Sequence, residues 1–155
     1  MLTYRKAILS DCDLYFEWVN DPEVRANSFN SAFITKEEHV NWFNDALNNP
    51  EYSLFVFQDE QGNYVGQVRF EKINSLEAEI SVSVAAAHRG NGISKEMLKT
   101  SSDAFLQESV GFIIIANIKK NNTSSIHAFE KAGFVYKGEA LYGNQPSMQY
   151  HRSKR

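Results

Sequence analysis

The sequence predicts a mixed α/β layer protein of the α+β type, on three observations. Short apolar runs with strand character alternate along the chain with longer stretches whose apolar residues recur at helical spacing. The cleanest alternation, in Glu77–Val84, follows another strand-like run across a tight turn, which marks an antiparallel pair. No linker, repeat or low-complexity stretch divides the 155 residues, and with only three prolines (Pro22, Pro50, Pro146) no hinge is evident, so residues 1–155 read as one domain.

The elements follow in order. Leu2–Ile8 reads as a strand. Ser10 suits an N-cap, and Leu14, Trp18 and Val19 supply a helical stripe that Asn20-Asp21-Pro22 ends, because proline pushes the preceding residue out of the α region. Thr35 caps a second helix, with Glu38 three residues on, and Val40, Phe43, Ala46 and Leu47 form its apolar face before Asn48-Asn49-Pro50 stops it. Leu54–Phe57 is a short buried run, followed by a turn at Asp59–Asn63. Tyr64–Ile73 then pairs across Asn74-Ser75 with Glu77–Val84. In that strand Ala78, Ile80, Val82 and Val84 share one face, and Glu77, Glu79, Ser81 and Ser83 share the other. A third helix runs from about Gly92 to Ser109, with Gly111 just past its end. Phe112–Ile118 is apolar on both faces, as a central strand covered on both sides would be. Asn122 caps a short helix that ends at Gly133, and Phe134–Leu141 and Met148–Arg152 read as closing strands.

Composition narrows the class. With 43% hydrophobic and 23% charged residues, the chain resembles a soluble globular protein rather than a disordered one. Sixteen Lys and Arg against nineteen Asp and Glu give a net charge of −3, which argues against a nucleic-acid partner. Cys12 is the only cysteine, so no intrachain disulfide is possible, and the four scattered histidines show no metal-ligand spacing; no metal is expected. No run approaches the roughly 18 apolar residues of a membrane span, and no signal peptide is visible. The expected location is cytoplasmic, with no membrane partner.

The most informative segment is His88–Lys95. It lies between a strand and a helix, and Gly90 and Gly92 let the backbone turn sharply and approach a ligand without a Cβ in the way. The helix that opens there presents unsatisfied N–H groups and a positive dipole end, and Arg89 and Lys95 add full charge. A bound phosphate or pyrophosphate is the functional reading; a turn whose glycines serve only geometry is the alternative. Two common phosphate loops are excluded, since neither G-x-x-x-x-G-K-[ST] nor a third glycine of G-x-G-x-x-G is present.

About thirty residues on stands Asn122–Phe134. Together the two segments resemble the GNAT N-acetyltransferases, which move acetyl from acetyl-CoA to an amine. The pyrophosphate loop of that family reads [QR]-x-x-G-x-[GA], which Arg89–Ser94 matches except that Ser94 replaces Gly or Ala. A second family motif, N-x-x-[SA]-x-x-x-[YF]-x-K-x-G-F, is matched at Asn122, Ser125, Phe129, Lys131, Gly133 and Phe134. The resemblance implies a central, mostly antiparallel sheet of about seven strands flanked by about four helices. It also implies that Glu77–Val84 and Phe112–Ile118 run parallel and splay apart, with the pantetheine arm of acetyl-CoA in the gap.

The resemblance assigns cosubstrate contacts to Val82, Val84, Arg89, Gly90, Asn91, Gly92, Ser94, Lys95, Asn117, Asn122, Ser125 and Phe129. Backbone N–H groups near Val82 to Val84 would polarise the thioester carbonyl. An aliphatic amine with a pKa near 10 is only about one part in a thousand neutral at pH 7, so attack needs a proton acceptor. Glu79 is the candidate base and Ser81 its helper; the alternative is that their face merely meets solvent. Many family members carry a tyrosine acid where Phe129 stands, which leaves Tyr136, Tyr142, Tyr150 or water to protonate the thiolate.

For the acceptor, Phe16–Arg25 and Thr35–Phe43 resemble the branch that includes ribosomal-protein N-terminal acetyltransferases. Together with Gly66–Phe70 and Ala78–Val84 they resemble acetyltransferases of nucleotide-linked amino sugars. Arg25, His39, Trp42 and Arg69 are the candidate substrate contacts, through charge for the arginines and stacking for His39 and Trp42; Trp42 also fits a core position. Three functions stand open: N-acetylation of a small-molecule amine such as an amino-sugar nucleotide, N-terminal acetylation of a protein, and a CoA-binding module without turnover. The many aromatic residues are compatible with a homodimer.

Overall fold

The computed structural model describes residues 1–154. Seven strands form one sheet in the order β1-β2-β3-β4-β5-β7-β6, and five helices cover its faces. The strands are β1 (Thr3–Lys6), β2 (Tyr52–Gln58), β3 (Tyr64–Lys72), β4 (Glu77–Val84), β5 (Ile113–Ile118), β6 (Val135–Tyr142) and β7 (Gln145–Ser153); the helices are α1 (Cys12–Val19), α2 (Pro22–Asn27), α3 (Lys36–Leu47), α4 (Ile93–Glu108) and α5 (Thr123–Lys131). All neighbouring strands pair antiparallel except β4 and β5.

Two helix starts differ from expectation. Ser10 caps nothing: a single 3-10 turn, Leu9–Asp11, precedes α1. The carboxylate of Asp11 turns back to accept from the Ile8 amide at 2.8 Å and from both Arg5 nitrogens at 2.7 and 3.0 Å, tying β1 to the helix. Pro22 does follow the end of α1, but it also occupies the first position of α2, where its missing N–H costs nothing and Asp21 caps the Glu23 and Val24 amides. The fifth helix is this one. Thr35 caps α3 as expected, accepting from the Glu38 amide at 3.2 Å, and its hydroxyl donates to the Glu38 carboxylate.

The alternation in β4 sorts the two faces. Ala78 and Ile80 are buried with Val68, Phe70, Met97, Leu98, Phe105, Ile114 and Phe129, beneath α4 and α5. Phe70 and Phe105 stack with ring centroids 4.5 Å apart. On the other face α1 and α3 set Tyr15, Trp18, Phe43 and Ala46 against Leu54 and Val56. Each such large side chain taken fully out of water stabilises the fold by about 1.5–3 kcal/mol. Among the described residues no helix is long and apolar enough to cross a membrane.

Candidate active site

The parallel pair β4–β5 holds register only at Glu77–Ile113, Ala78–Ile114 and Glu79–Ile115; beyond Glu79 the strands part. The amide of Ala85 bonds the Val65 carbonyl on β3, and Ile113 bonds the Leu76 carbonyl from the β5 side. Backbone groups alternate sides along a strand, so the N–H groups of Val82 and Val84 face the opening. At its far end Gly90 (φ +83°) and Gly92 (φ +71°) hold left-handed conformations with open space where a Cβ would stand. Gly92 is the N-cap of α4 and has no side chain to satisfy the first-turn amides, which leaves an anion-binding helix terminus at the mouth of the splay. Lys95 is exposed beside it.

Arg89 does not point free into this loop. Its guanidinium bonds Asp21 at 2.7 Å and Glu23 at 2.8 Å, at the start of α2. Burial raises the Asp21 carboxyl, but Arg89 and the two capped amides outweigh it and hold the group below its usual range.

Glu79 stands where the strands part. Its Oε2 accepts from Asn117 Nδ2 at 2.7 Å, across the opening, and its Oε1 accepts from the Tyr142 hydroxyl at 3.2 Å. Asn117 Oδ1 in turn accepts from Gln149 Nε2 at 3.2 Å and from Ser147 Oγ at 3.5 Å. Asn117, expected at the cosubstrate, is therefore first a clamp on Glu79. On the same face β3 lies opposite β4 in register, with Gln67 beside Ser83, Arg69 beside Ser81 and Glu71 beside Glu79. Arg69 donates to Ser81 Oγ at 3.3 Å and lies over the Trp42 ring, 5.0 Å from its centroid. Trp42 is half-buried and helps hold Arg69.

Three sequence expectations change. His39 is 2% exposed, stacked near Phe43, with Nε2 donating to the Cys12 carbonyl at 2.9 Å; it is a core residue and cannot stack on a substrate. Burial pushes its pKa down, which keeps the ring neutral there. Arg25 spends its donors on the carbonyls of Val19, Asn30 and Ala32 and on Ser28 Oγ, so it braces the loop after α2 rather than offering charge to a ligand. Phe129 is 3% exposed and meets Phe134 edge-on at 5.0 Å inside the core, offering almost no surface to a cosubstrate. Asn122 caps α5 as expected, its Oδ1 accepting from the Ser125 amide at 3.3 Å.

Of the three tyrosines weighed as acids, only Tyr142 lies on the Glu79 face. Tyr150 is buried in the opposite core with its hydroxyl on Glu130, and Tyr136 packs against Tyr150. Burial and the neighbouring Glu79 carboxylate raise the Tyr142 pKa, so the phenol stays protonated. The sequence did not single out Gln149, Ser147 or Glu23, because each gains its role from contacts distant in the chain. Among the described residues no group of three or more His, Cys, Asp or Glu side chains is placed to hold a metal.

Residues 1–135 match the model of the acetyltransferase (GNAT) domain. The chain is 23% identical to the spermidine N(1)-acetyltransferase of Vibrio cholerae serotype O1 over 142 residues, covering 90% of this chain and 82% of that protein. Among solved structures, the spermidine N-acetyltransferase from Vibrio cholerae in complex with CoA and spermine shares the fold with a TM-score of 0.84 at 21% identity, over 97% of this chain and 93% of that one. The aminoglycoside acetyltransferase AAC(6')-Ib in complex with coenzyme A and kanamycin gives a TM-score of 0.85 at 14% identity, over 99% and 95%.

Proposed function

The chain belongs to the acetyltransferase (GNAT) family, and from that premise we propose that it moves the acetyl group of acetyl-CoA directly to a primary amine of a small molecule, within one ternary complex. The open β4–β5 pair, the unbonded Val82 and Val84 amides and the uncapped start of α4 are what an acyl pantetheine ending in a pyrophosphate requires. The amides beyond Glu79 stabilise charge on the thioester oxygen, and the amides from Gly90 to Lys95 receive the pyrophosphate. Glu79 takes the proton released as the amine attacks. Its position at the opening, clamped by Asn117 and Tyr142, is the observation that carries this reading.

The acceptor in this proposal is an amino sugar, carried on a nucleotide. Around Glu79 the face is lined by the hydroxyl and amide groups of Ser81, Asn117, Gln149 and Tyr142, which suit a hydroxylated ring, and Arg69 supplies a positive charge for a phosphate. One observation favours a second reading. Glu71 lies directly opposite Glu79, and a pair of carboxylates on the acceptor face attracts a polycationic amine; the Vibrio relative is named as a spermidine acetyltransferase.

The deciding experiment is acetyl-CoA consumption with amino-sugar nucleotides, free aminoglycosides, polyamines and N-terminal peptides. Fastest turnover with amino-sugar nucleotides is expected. Preference for polyamines selects the second reading, turnover with peptides alone overturns both, and CoA binding without turnover means a binding module. With the best amine, Glu79→Gln lowers the rate more at pH 7 than at pH 9, where roughly a hundredfold more of the amine is neutral. A loss that is the same at both values removes Glu79 from the role of base.

A further inference from the structure

Four side chains form a hydrogen-bonded row across β7, β5 and β4 that ends on Glu79. His151 Nε2 lies 3.0 Å from Gln149 Oε1, Gln149 Nε2 lies 3.2 Å from Asn117 Oδ1, and Asn117 Nδ2 lies 2.7 Å from Glu79 Oε2. We infer that Gln149 and His151 are positioning residues for Glu79, donating in sequence so that the Asn117 amide keeps its N–H group, and not its carbonyl, turned toward the proposed base. The inference rests on the acetyltransferase reading and deepens it.

Strand pairing builds the row. Gln149 stands opposite Asn117, His151 stands opposite Ile115, and Ile115 stands opposite Glu79. Gln149 and His151 are two residues apart on β7, so both lie on the face that Asn117 and Glu79 share. Ser147 also reaches Asn117 Oδ1, but at 3.5 Å, and its single hydroxyl proton has the Ala140 carbonyl nearer, at 3.1 Å. Gln149 is therefore the donor that holds Asn117.

The direction of the row follows from its chemistry. As a base, Glu79 is ionised and only accepts, so Asn117 must donate to it. The two ends of an asparagine amide have nearly the same shape, and packing alone does not tell them apart. Turned by half a rotation, the amide would set its oxygen against the carboxylate. With Nδ2 on Glu79, Asn117 Oδ1 faces Gln149 and accepts from its Nε2. Gln149 Oε1 then faces His151, which donates to it only when the ring proton is on Nε2. Burial and then Lys137 on β6 lower the His151 pKa, against Glu77 on β4, so near neutral pH the ring carries one proton. The row thus orients the base without bringing a charge to it.

The test uses the full chain with the amine it acetylates best. Gln149→Glu keeps the shape of the side chain but cannot donate, and it draws the Asn117 N–H to itself. It lowers kcat/KM at pH 7 about tenfold or more, part of what a positioned base contributes. The acidic fall of kcat/KM moves up by about one pH unit, with Glu71 and Arg69 on β3, Glu77 on β4 and Tyr142 on β6 unchanged around Glu79. In an Asn117→Ala chain the same change alters kcat/KM less than about twofold, because the link it acts through is gone. His151→Leu lowers kcat/KM about fivefold, as loss of one neutral hydrogen bond would. His151→Gln keeps an N–H near the Nε2 position, restores the rate and leaves the acidic limb in place. Independently of turnover, nitrogen-15 NMR of the ligand-free chain finds the proton of the neutral His151 ring on Nε2. An unmoved acidic limb in Gln149→Glu, losses that multiply in the double variant, wild-type kcat/KM in His151→Leu, no rescue by His151→Gln, or a ring proton on Nδ1 overturns the row alone. A wild-type chain that acetylates no amine overturns the acetyltransferase reading, and the positioning role with it.

Discussion

Gly66 on β3 offers the most direct test of how the fold positions the site. A methyl group there would sit on the Ser83 carbonyl oxygen of β4, well inside van der Waals contact, 2.8 Å from the Met97 methyl carbon and 3.2 Å from Val84 Cα. The Met97 side chain can swing aside, but the β4 backbone cannot. Restoring an ordinary heavy-atom separation of about 3.5 Å requires β4 to retreat by roughly 1 Å at Ser83. That residue lies between Val82 and Val84, whose amides face the β4–β5 opening. Gly66→Ala therefore carries an overpacking cost of about 1–3 kcal/mol. In a domain of this size it lowers Tm by about 2–10 °C. A displacement of 1 Å in the groups that meet the thioester lowers kcat by about 10²-fold. Thermal melts followed by circular dichroism and steady-state kinetics with acetyl-CoA measure the two effects. A variant with wild-type Tm and wild-type kcat would show that β3 and β4 do not approach closely at this point, and the reasoning would fail.

Gly92→Val places a β-branched residue at φ +71°, a strain of about 1–3 kcal/mol that the first turn of α4 relieves by losing its anion-binding shape. CoA affinity, read by calorimetry, falls about tenfold or more; an unchanged Kd contradicts the assignment of this loop. Asp11→Asn removes the carboxylate that receives Arg5 and the Ile8 amide, and destabilises the chain by about 1–2 kcal/mol at neutral pH, allowing for the partial exposure of Arg5. Burial alone would raise the Asp11 carboxyl, but Arg5 and the amide hold it below its unfolded value. Its contribution is therefore complete above about pH 4–5 and disappears as pH falls through the folded pKa. The Tm difference between the wild-type and variant chains should close over that acidic range; a difference independent of pH refutes the linkage.

Much of the fold was legible because its signals are local. The alternation in Glu77–Val84, the cap at Thr35, the proline at 22 and the glycines around residue 90 each depend on a few neighbouring residues, and each element formed near its expected bounds. α2 was missed because Pro22 signals both an end and a beginning, and only the turn Asp21 makes onto the next two amides decides that a new helix starts. His39 shows the opposite limit. On a helix surface facing α1 it looked available, yet the packing of α3 against α1 covers it completely.

The sequence by itself determined the strand that carries Glu79, the face it occupies, and the two motifs whose order and spacing identify the acyl-CoA chemistry of the family. Only the tertiary structure decided what Glu79 touches. Asn117, 38 residues away, reaches it from β5, two residues past the last β4–β5 pair, and Tyr142, 63 residues away, reaches it from the end of β6, at the turn into β7. The choice among tyrosines was equally hidden. Tyr136 and Tyr142 are six residues apart on one strand, and simple alternation would put them on the same face. The bulge at Lys137–Gly138, where Gly138 takes φ +121°, shifts the register by one residue and sends Tyr136 to the Tyr150 side of the sheet, where it stays exposed, and Tyr142 to the site. Side-chain parity along a strand is a local rule, but a bulge that resets it is fixed by pairing with another strand.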